Sequence, residues 1–361
     1  MYTELIKIIE GGLNKDTRKV SNYAKLLAEN LVKSGETKLA EKIQKVLQNT
    51  KAQAVYLDEL VSSPVDQETR MSIVDFIPPQ QDNINVVLAE PVEDSIQHFI
   101  NLNANRNQLR SAGIDVNSSM LLYGPPGCGK TTIARYISTT LELPLVVARL
   151  DSLVSSLLGN TSKNIRKVFE FASKQPCILF LDEFDAIAKA RDDQHELGEL
   201  KRVINSLLQN IDEFTTNNIL LAATNHHKLL DKAIWRRFNT IVEIGLPSKE
   251  EIKALLHLYL KDKPCEFLLD AKKVDKLSTA LERLSPADIK AICQNAIVKQ
   301  IIENKPSISY EEFILQIFLF SHHGAYSQQE LINYLNGHGL SQAVIKELCN
   351  ISMRQVRNIL K

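Results

Sequence analysis

The sequence predicts an α/β protein: a parallel sheet of five buried strands, entered through a helical hairpin and followed by helices alone. Three observations carry that reading. Between Leu88 and Pro247, short continuous apolar runs alternate with helix-length segments, the pattern of a sheet buried on both faces with helical crossovers. After Pro247, Ser residues followed three positions later by an acid or amide recur, and each such pair marks a helix start. Before Thr50, apolar residues recur at helical spacing on either side of Gly35, as in two amphipathic helices joined by a turn.

Taken in order, residues 1–50 read as the hairpin, with Val20, Tyr23, Ala24, Leu27 and Leu31 before the glycine and Leu39, Ile43, Val46 and Leu47 after it. Its basic residues fall on the solvated face. Residues 51–85 lose the pattern and carry Pro64, Pro78 and Pro79, so they read as a linker. Residues 86–247 hold the five expected strands: Met120–Tyr123, Leu145–Ala148, Cys177–Leu181, Ile219–Ala223 and Ile241–Ile244. Residues 248–320 read as a small helical domain, with starts at Ser248/Glu251, Ser285/Asp288 and Ser309/Glu312, and Pro286 at a first helical position. Residues 321–361 repeat the device at Ser327/Glu330 and Ser352/Gln355.

Composition narrows the function. The 361 residues are 44% hydrophobic and 24% charged, enough for two or three packed domains. Lys plus Arg and Asp plus Glu are both 43, which argues against a chain coated for nucleic acid or a membrane surface. The most apolar stretch, Phe313 to Phe320, is too short for a membrane span, and no secretory signal is expected from the first residues. Five scattered cysteines without a C-x-x-C pair fit reduced thiols in the cytoplasm.

The chemistry concentrates in a few places. Gly124, Pro125, Pro126, Gly127, Cys128, Gly129, Lys130 and Thr131 match G-x-x-x-x-G-K-[ST] between a strand and a helix. Such glycines let backbone N–H groups close on phosphate oxygens, and the following helix aims its dipole at the same charge. Lys130 is expected to supply a cation to the β- and γ-phosphates, and Thr131 a hydroxyl to Mg²⁺; Thr132 completes the nucleotide-binding set. The strand Ile178–Leu181 runs into Asp182 and Glu183. Strand ends in an open α/β sheet face the ligand crevice, so Asp182 is expected beside the Mg²⁺ and Glu183 is expected to orient or deprotonate water. Asn225, after a further strand, offers a neutral amide to the same water or to the γ-phosphate.

From about Asp75 to Phe320 the chain resembles the AAA ATPases, P-loop NTPases of the spastin, katanin and proteasome-related branch. The resemblance rests on GPPGCGKT at 124–131, ILFLDEFDAI at 178–187, LAATNHHKLLDKAIWRRF at 221–238 and LSPADIKAICQNA at 284–296. It implies an α/β ATPase domain with a small helical lid. Lys130 and Thr131 then match the Walker A pair, Asp182 and Glu183 the Walker B pair, and Asn225 sensor 1. Arg237 matches an arginine finger that reaches a neighbouring subunit, with Arg236 as its companion. The resemblance therefore implies ATP, Mg²⁺ and a homo-oligomeric ring, usually a hexamer. Two positions depart from the family pattern: Thr240 stands where many members have a second arginine, and Leu157, before Leu158-Gly159, stands where threading members have an aromatic residue.

Residues 339–360 resemble a helix-turn-helix, with Asn350 at a turn that favours left-handed backbone. Ser352, Met353, Arg354, Gln355 and Arg357 would be available to DNA, although four cations against two acids over residues 321–361 is a thin excess. The reading that follows is a ring-forming, Mg²⁺-dependent ATPase that remodels or regulates a partner macromolecule, a protein by preference. The alternatives are a regulator that binds nucleic acid through residues 340–361, or a nucleotide-gated adaptor for a partner enzyme such as a protease in phage defence.

Overall fold

The structure is a computed structural model. It describes Pro64 and residues 73–79, 84–151, 158–186, 197–216, 218–322 and 325–360, with scattered helical residues among the first fifty; the side chains of residues 158–160 and 197–202 fall outside the description. The expected hairpin therefore lies largely outside the described residues, although Leu27, Ala28 and Leu31 are helical and buried. Leu157 also lies outside them, as does the side chain of Leu158.

In chain order the elements begin with β1 (Asp75–Ile77), α1 (Glu90–Ala104), α2 (Arg106–Ser111), β2 (Ser119–Tyr123), α3 (Lys130–Thr140) and β3 (Leu145–Arg149). Then come α4 (Leu158–Ser173), β4 (Ile178–Asp182), α5 (Leu197–Thr215), β5 (Ile219–Thr224), α6 (Lys232–Trp235) and β6 (Thr240–Glu243). The helices α7 (Lys249–Tyr259), α8 (Ala271–Ala280), α9 (Pro286–Ile302) and α10 (Tyr310–His322) follow. The last three are α11 (Gln328–Gly337), α12 (Gln342–Cys349) and α13 (Met353–Ile359).

The strand order is β1-β3-β4-β5-β2-β6. Five of these strands are those expected, displaced by a residue or so at their ends. The sixth, β1, falls in the stretch read as linker and pairs antiparallel with β3, Asp75 opposite Val147, so the sheet is mixed. Three residues bounded by Pro78 and Pro79 are too short to show alternation, and prolines beyond the strand suit a sheet edge.

By internal contacts the chain forms two compact units, residues 1–81 with 142–220, and residues 82–141 with 221–361. In the first, β3 and β4 run parallel with Leu145 opposite Ile178 and Arg149 opposite Asp182. Their four leading residues are all buried, which is why they read as unbroken apolar runs. Phe169 of α4 meets Phe214 of α5 edge-on, ring centres 5.5 Å apart.

In the second unit β2 runs parallel to β6, Met120 opposite Thr240 and Tyr123 opposite Glu243. The helices α7, α9, α11 and α13 each start with a complete capping box, from Ser248, Ser285, Ser327 and Ser352. At Ser309 only half the box forms: its hydroxyl accepts the Glu312 N–H at 3.2 Å, while the Glu312 carboxylate pairs with Lys305. One buried apolar cluster runs from Ile252 and Leu256 in α7, through Ile289 and Phe313, to Leu335, Ile345 and Val356 in the last three helices. The C-terminal helices thus share a core with the lid.

Candidate functional site

The phosphate loop follows β2 in the second unit, where three glycines have positive φ for different reasons. Gly124 (φ +146) lies so close to β6 that a Cβ there would be 2.0 Å from the Ile244 carbonyl oxygen. That carbonyl is held, since the Ile244 N–H donates to the Tyr123 carbonyl at 2.7 Å. Gly127 (φ +77) rests against the start of α9; a Cβ would sit 2.5 Å from Ser285 Oγ, and the Ala287 N–H donates to the Gly127 carbonyl at 3.1 Å. Gly129 (φ +93) has open space where a Cβ would be, so the backbone conformation alone requires glycine there. That open side and the start of α3 leave room for a phosphate group.

Lys130 is nearly buried, 7% exposed. Its ammonium donates to the carbonyls of Gly124 and Pro125, both at 2.8 Å. A buried cation must be solvated by something, and here the loop itself provides the acceptors. Thr131 and Thr132 open α3, half-buried and exposed respectively. Cys128 is buried, and that burial pushes its thiol pKa up despite the neighbouring Lys130.

The acid pair ends β4 in the first unit. Asp182 is half-buried, and its Oδ1 accepts the Glu183 N–H at 2.9 Å. Glu183 has φ +53, an uncommon conformation for a side-chain-bearing residue that costs about 1–3 kcal/mol. It turns the chain sharply off the strand and leaves the Glu183 side chain exposed while Phe184 and Asp185 are buried. Partial desolvation, then a hydrogen bond and repulsion from Asp151, then Asp182 and Asp185, hold the Glu183 carboxyl above the usual carboxylate range. Asp151 escaped the sequence reading. It follows β3 as Asp182 ends β4, so the strand-end rule that found one could have found the other.

Asn225 follows β5, half-buried, and the preceding Thr224 carbonyl accepts the Gly124 N–H at 3.3 Å, tying this strand end to the loop. In α6, Asp231 caps the helix by accepting the Ala233 N–H. Trp235 meets Tyr123 edge-on, ring centres 5.5 Å apart. Arg236 is exposed. Arg237 is half-buried, its Nη1 donates to the Ala233 carbonyl at 3.0 Å, and its own carbonyl accepts from Ser119 Oγ at 2.9 Å. The two neighbouring arginines are therefore not equivalent.

At the C-terminus, Asn350 takes the left-handed conformation (φ 50, ψ 48) between α12 and α13. The Gln355 carboxamide completes the Ser352 cap, its Oε1 2.9 Å from the Ser352 N–H and 2.8 Å from the hydroxyl. Among the described residues no helix is long and apolar enough to cross a membrane.

Residues 120–246 match the family described as "ATPase family associated with various cellular activities (AAA)". An uncharacterised AAA family ATPase of Sinorhizobium fredii is 39% identical over 295 residues, 80% of this chain and 87% of that one. A proteasome-activating nucleotidase of Methanoregula boonei is 30% identical over 274 residues, 73% of this chain and 62% of that one. The ATP-dependent zinc metalloprotease FtsH of Karelsulcia muelleri is 32% identical over 237 residues, 63% and 38% respectively. The chain spans less than two thirds of the length of the latter two. With a phosphate loop and a strand-end acid pair on an α/β sheet, and a relative of this extent, the chain belongs to the AAA family of ATPases.

Proposed function

We propose that this ATPase acts as a homo-oligomeric ring, a hexamer, that uses Mg²⁺-dependent ATP hydrolysis to remodel or regulate a partner protein in the cytoplasm. The observation that carries the reading is the phosphate loop itself: three positive-φ glycines around a buried ammonium held by loop carbonyls. Residues 124–132 bind the nucleotide, with backbone N–H groups and Lys130 answering phosphate charge. Thr131 and Asp182 hold Mg²⁺, which when bound neutralises charge on the phosphate oxygens. Glu183 accepts a proton from, or orients, the attacking water, and Asn225 fixes that water with an uncharged amide. Arg237 reaches the γ-phosphate of a neighbouring copy and Arg236 assists it. The separate treatment the fold gives them supports this ranking, since Arg237 is anchored by its helix and Arg236 is exposed.

We divide the chain as 1–50, 51–85, 86–247, 248–320 and 321–361, the last being a helical module that docks protein. A protein partner is favoured over DNA because the Gln355 Oε1 is engaged in the Ser352 cap, which leaves Met353, Arg354 and Arg357 on α13 of the residues that would face DNA. The relatives named for proteasome activation and for ATP-dependent proteolysis support a protein partner. The test is ATP turnover with magnesium across a range of protein concentration, for wild type, Arg237→Ala and their mixtures. Specific activity should rise with concentration and fall when the variant is mixed in. Concentration-independent turnover by Arg237→Ala at the wild-type rate would overturn the shared site.

A further inference from the structure

A concavity of about 440 Å³ lies where α8 of the lid meets the α11–α12 junction of the C-terminal helices. Three lysines of α8 line it, Lys272, Lys273 and Lys276. None of them forms an ion pair among the described residues, whereas Lys249 and Lys253 on the adjacent α7 are paired with Glu282 and Asp275. Lys272 and Lys273 stand in the first turn of α8, where the helix dipole disfavours cations. Helix stability therefore does not account for them.

The rest of the lining says what kind of group would fit. Its floor is apolar, from Tyr310, buried Leu340 and half-buried Val344. The Lys273 ammonium lies 5.5 Å from the centre of the Tyr310 ring, a cation–π contact that keeps it at the concavity. Gly339 (φ +83) faces Lys276 so closely that a Cβ there would be 3.0 Å from the Lys276 nitrogen. Two carboxylates also line the site, Asp270 and Glu311. Asp270 is engaged by the Lys272 and Lys273 backbone N–H groups at 3.0 and 3.3 Å.

We infer that this concavity docks a short acidic segment of the partner protein, carboxylates answering the three lysines and one apolar side chain seated on the floor. The inference rests on the protein-partner reading above and names the chemistry of that partner. A nucleic acid fits less well, because a phosphate chain needs an extended basic stripe and this site is compact, apolar-floored and rimmed by two carboxylates. Nothing in the assignment touches the ATPase machinery.

The test uses the full chain and a fluorescein-labelled peptide, Glu-Glu-Leu-Glu-Glu, read by fluorescence anisotropy. Binding should weaken as salt rises, and Lys272→Glu/Lys276→Glu should lower affinity by about tenfold or more; Lys276→Gln should give a smaller loss. Basal ATP turnover should be unchanged in all three proteins. The doubly reversed variant should gain affinity for Lys-Lys-Leu-Lys-Lys, a positive signal that an unfolded protein would not give. Equal binding of the acidic peptide to wild type and the reversed variant overturns the site, and so does displacement of the peptide by an equal concentration of oligothymidylate. Peptide binding that survives in a chain without ATP turnover supports the docking site and counts against the proposed function instead.

Discussion

Gly127→Ala tests the contact between the phosphate loop and the lid. The new methyl would have to occupy φ +77 and would lie 2.5 Å from Ser285 Oγ. A left-handed alanine costs about 1–2 kcal/mol. The hydroxyl cannot simply swing away, because it accepts the Asp288 N–H at 3.2 Å and donates to the Asp288 carboxylate at 2.7 Å. Losing that cap costs about 1 kcal/mol, so the substitution should destabilise the second unit by roughly 2–3 kcal/mol. Trp235 is the lone tryptophan, and its ring packs against Tyr123 immediately before the loop, so urea unfolding followed by its fluorescence reports on this unit. In a Ser285→Ala background the cap is already gone, and the same methyl should cost about 1 kcal/mol less. If the two costs agree to within about 0.5 kcal/mol, the sites are independent and the proposed steric coupling is refuted.

The remaining expectations concern chemistry, packing and pH. Glu183→Gln should retain ATP, measured by equilibrium binding, while turnover falls by about 10²-fold or more; unchanged turnover would remove it from the water's path. Arg237→Ala should lower turnover by about 10³-fold with nucleotide affinity nearly intact, and Arg236→Ala should cost far less. Ile345→Ala, at a fully buried position of the shared core, should cost about 2–5 kcal/mol; differential hydrogen exchange should show loss of protection in α7 and α9 as well as in α12. The Glu330 carboxyl is held below its ordinary range by the Ser327 backbone N–H and hydroxyl. Its contribution is therefore present above the unfolded-state pKa and is lost as pH falls through the lowered folded value. Thermal melts should show Glu330→Gln, which keeps an acceptor, with a flatter acid limb than wild type.

What could be read from the residues, and what could not, divides by range. Runs such as Ile178–Leu181 identify themselves because burial on both faces removes polar alternation. Ser285 and Asp288 identify a helix start because capping is settled within four residues. In contrast, β1 has three residues and no pattern of its own; only pairing with β3 makes it a strand. Asp151 gained its importance from where Glu183 folds back, a juxtaposition of two strand ends far apart in sequence. Gln355 could be read either as a cap partner or as a base reader, and the two uses compete for one carboxamide. Helical periodicity can name a buried face such as that of Ile345 and Val356 without naming what covers it. That the cover is the lid required tertiary structure.

The seating of Ala287 and Ser285 on Gly127, together with that common interior, gives the polypeptide an unbroken mechanical train. A tilt of α9 begun at the loop would reach α13 without a slack joint to absorb it, because close-packed side chains transmit displacement and do not cushion it. The terminal helices would then ride as an outrigger on the nucleotide pocket. Clipping them away for convenience would strip the lid of its floor and expose Phe318, whose ring meets Tyr334 of α11, to water.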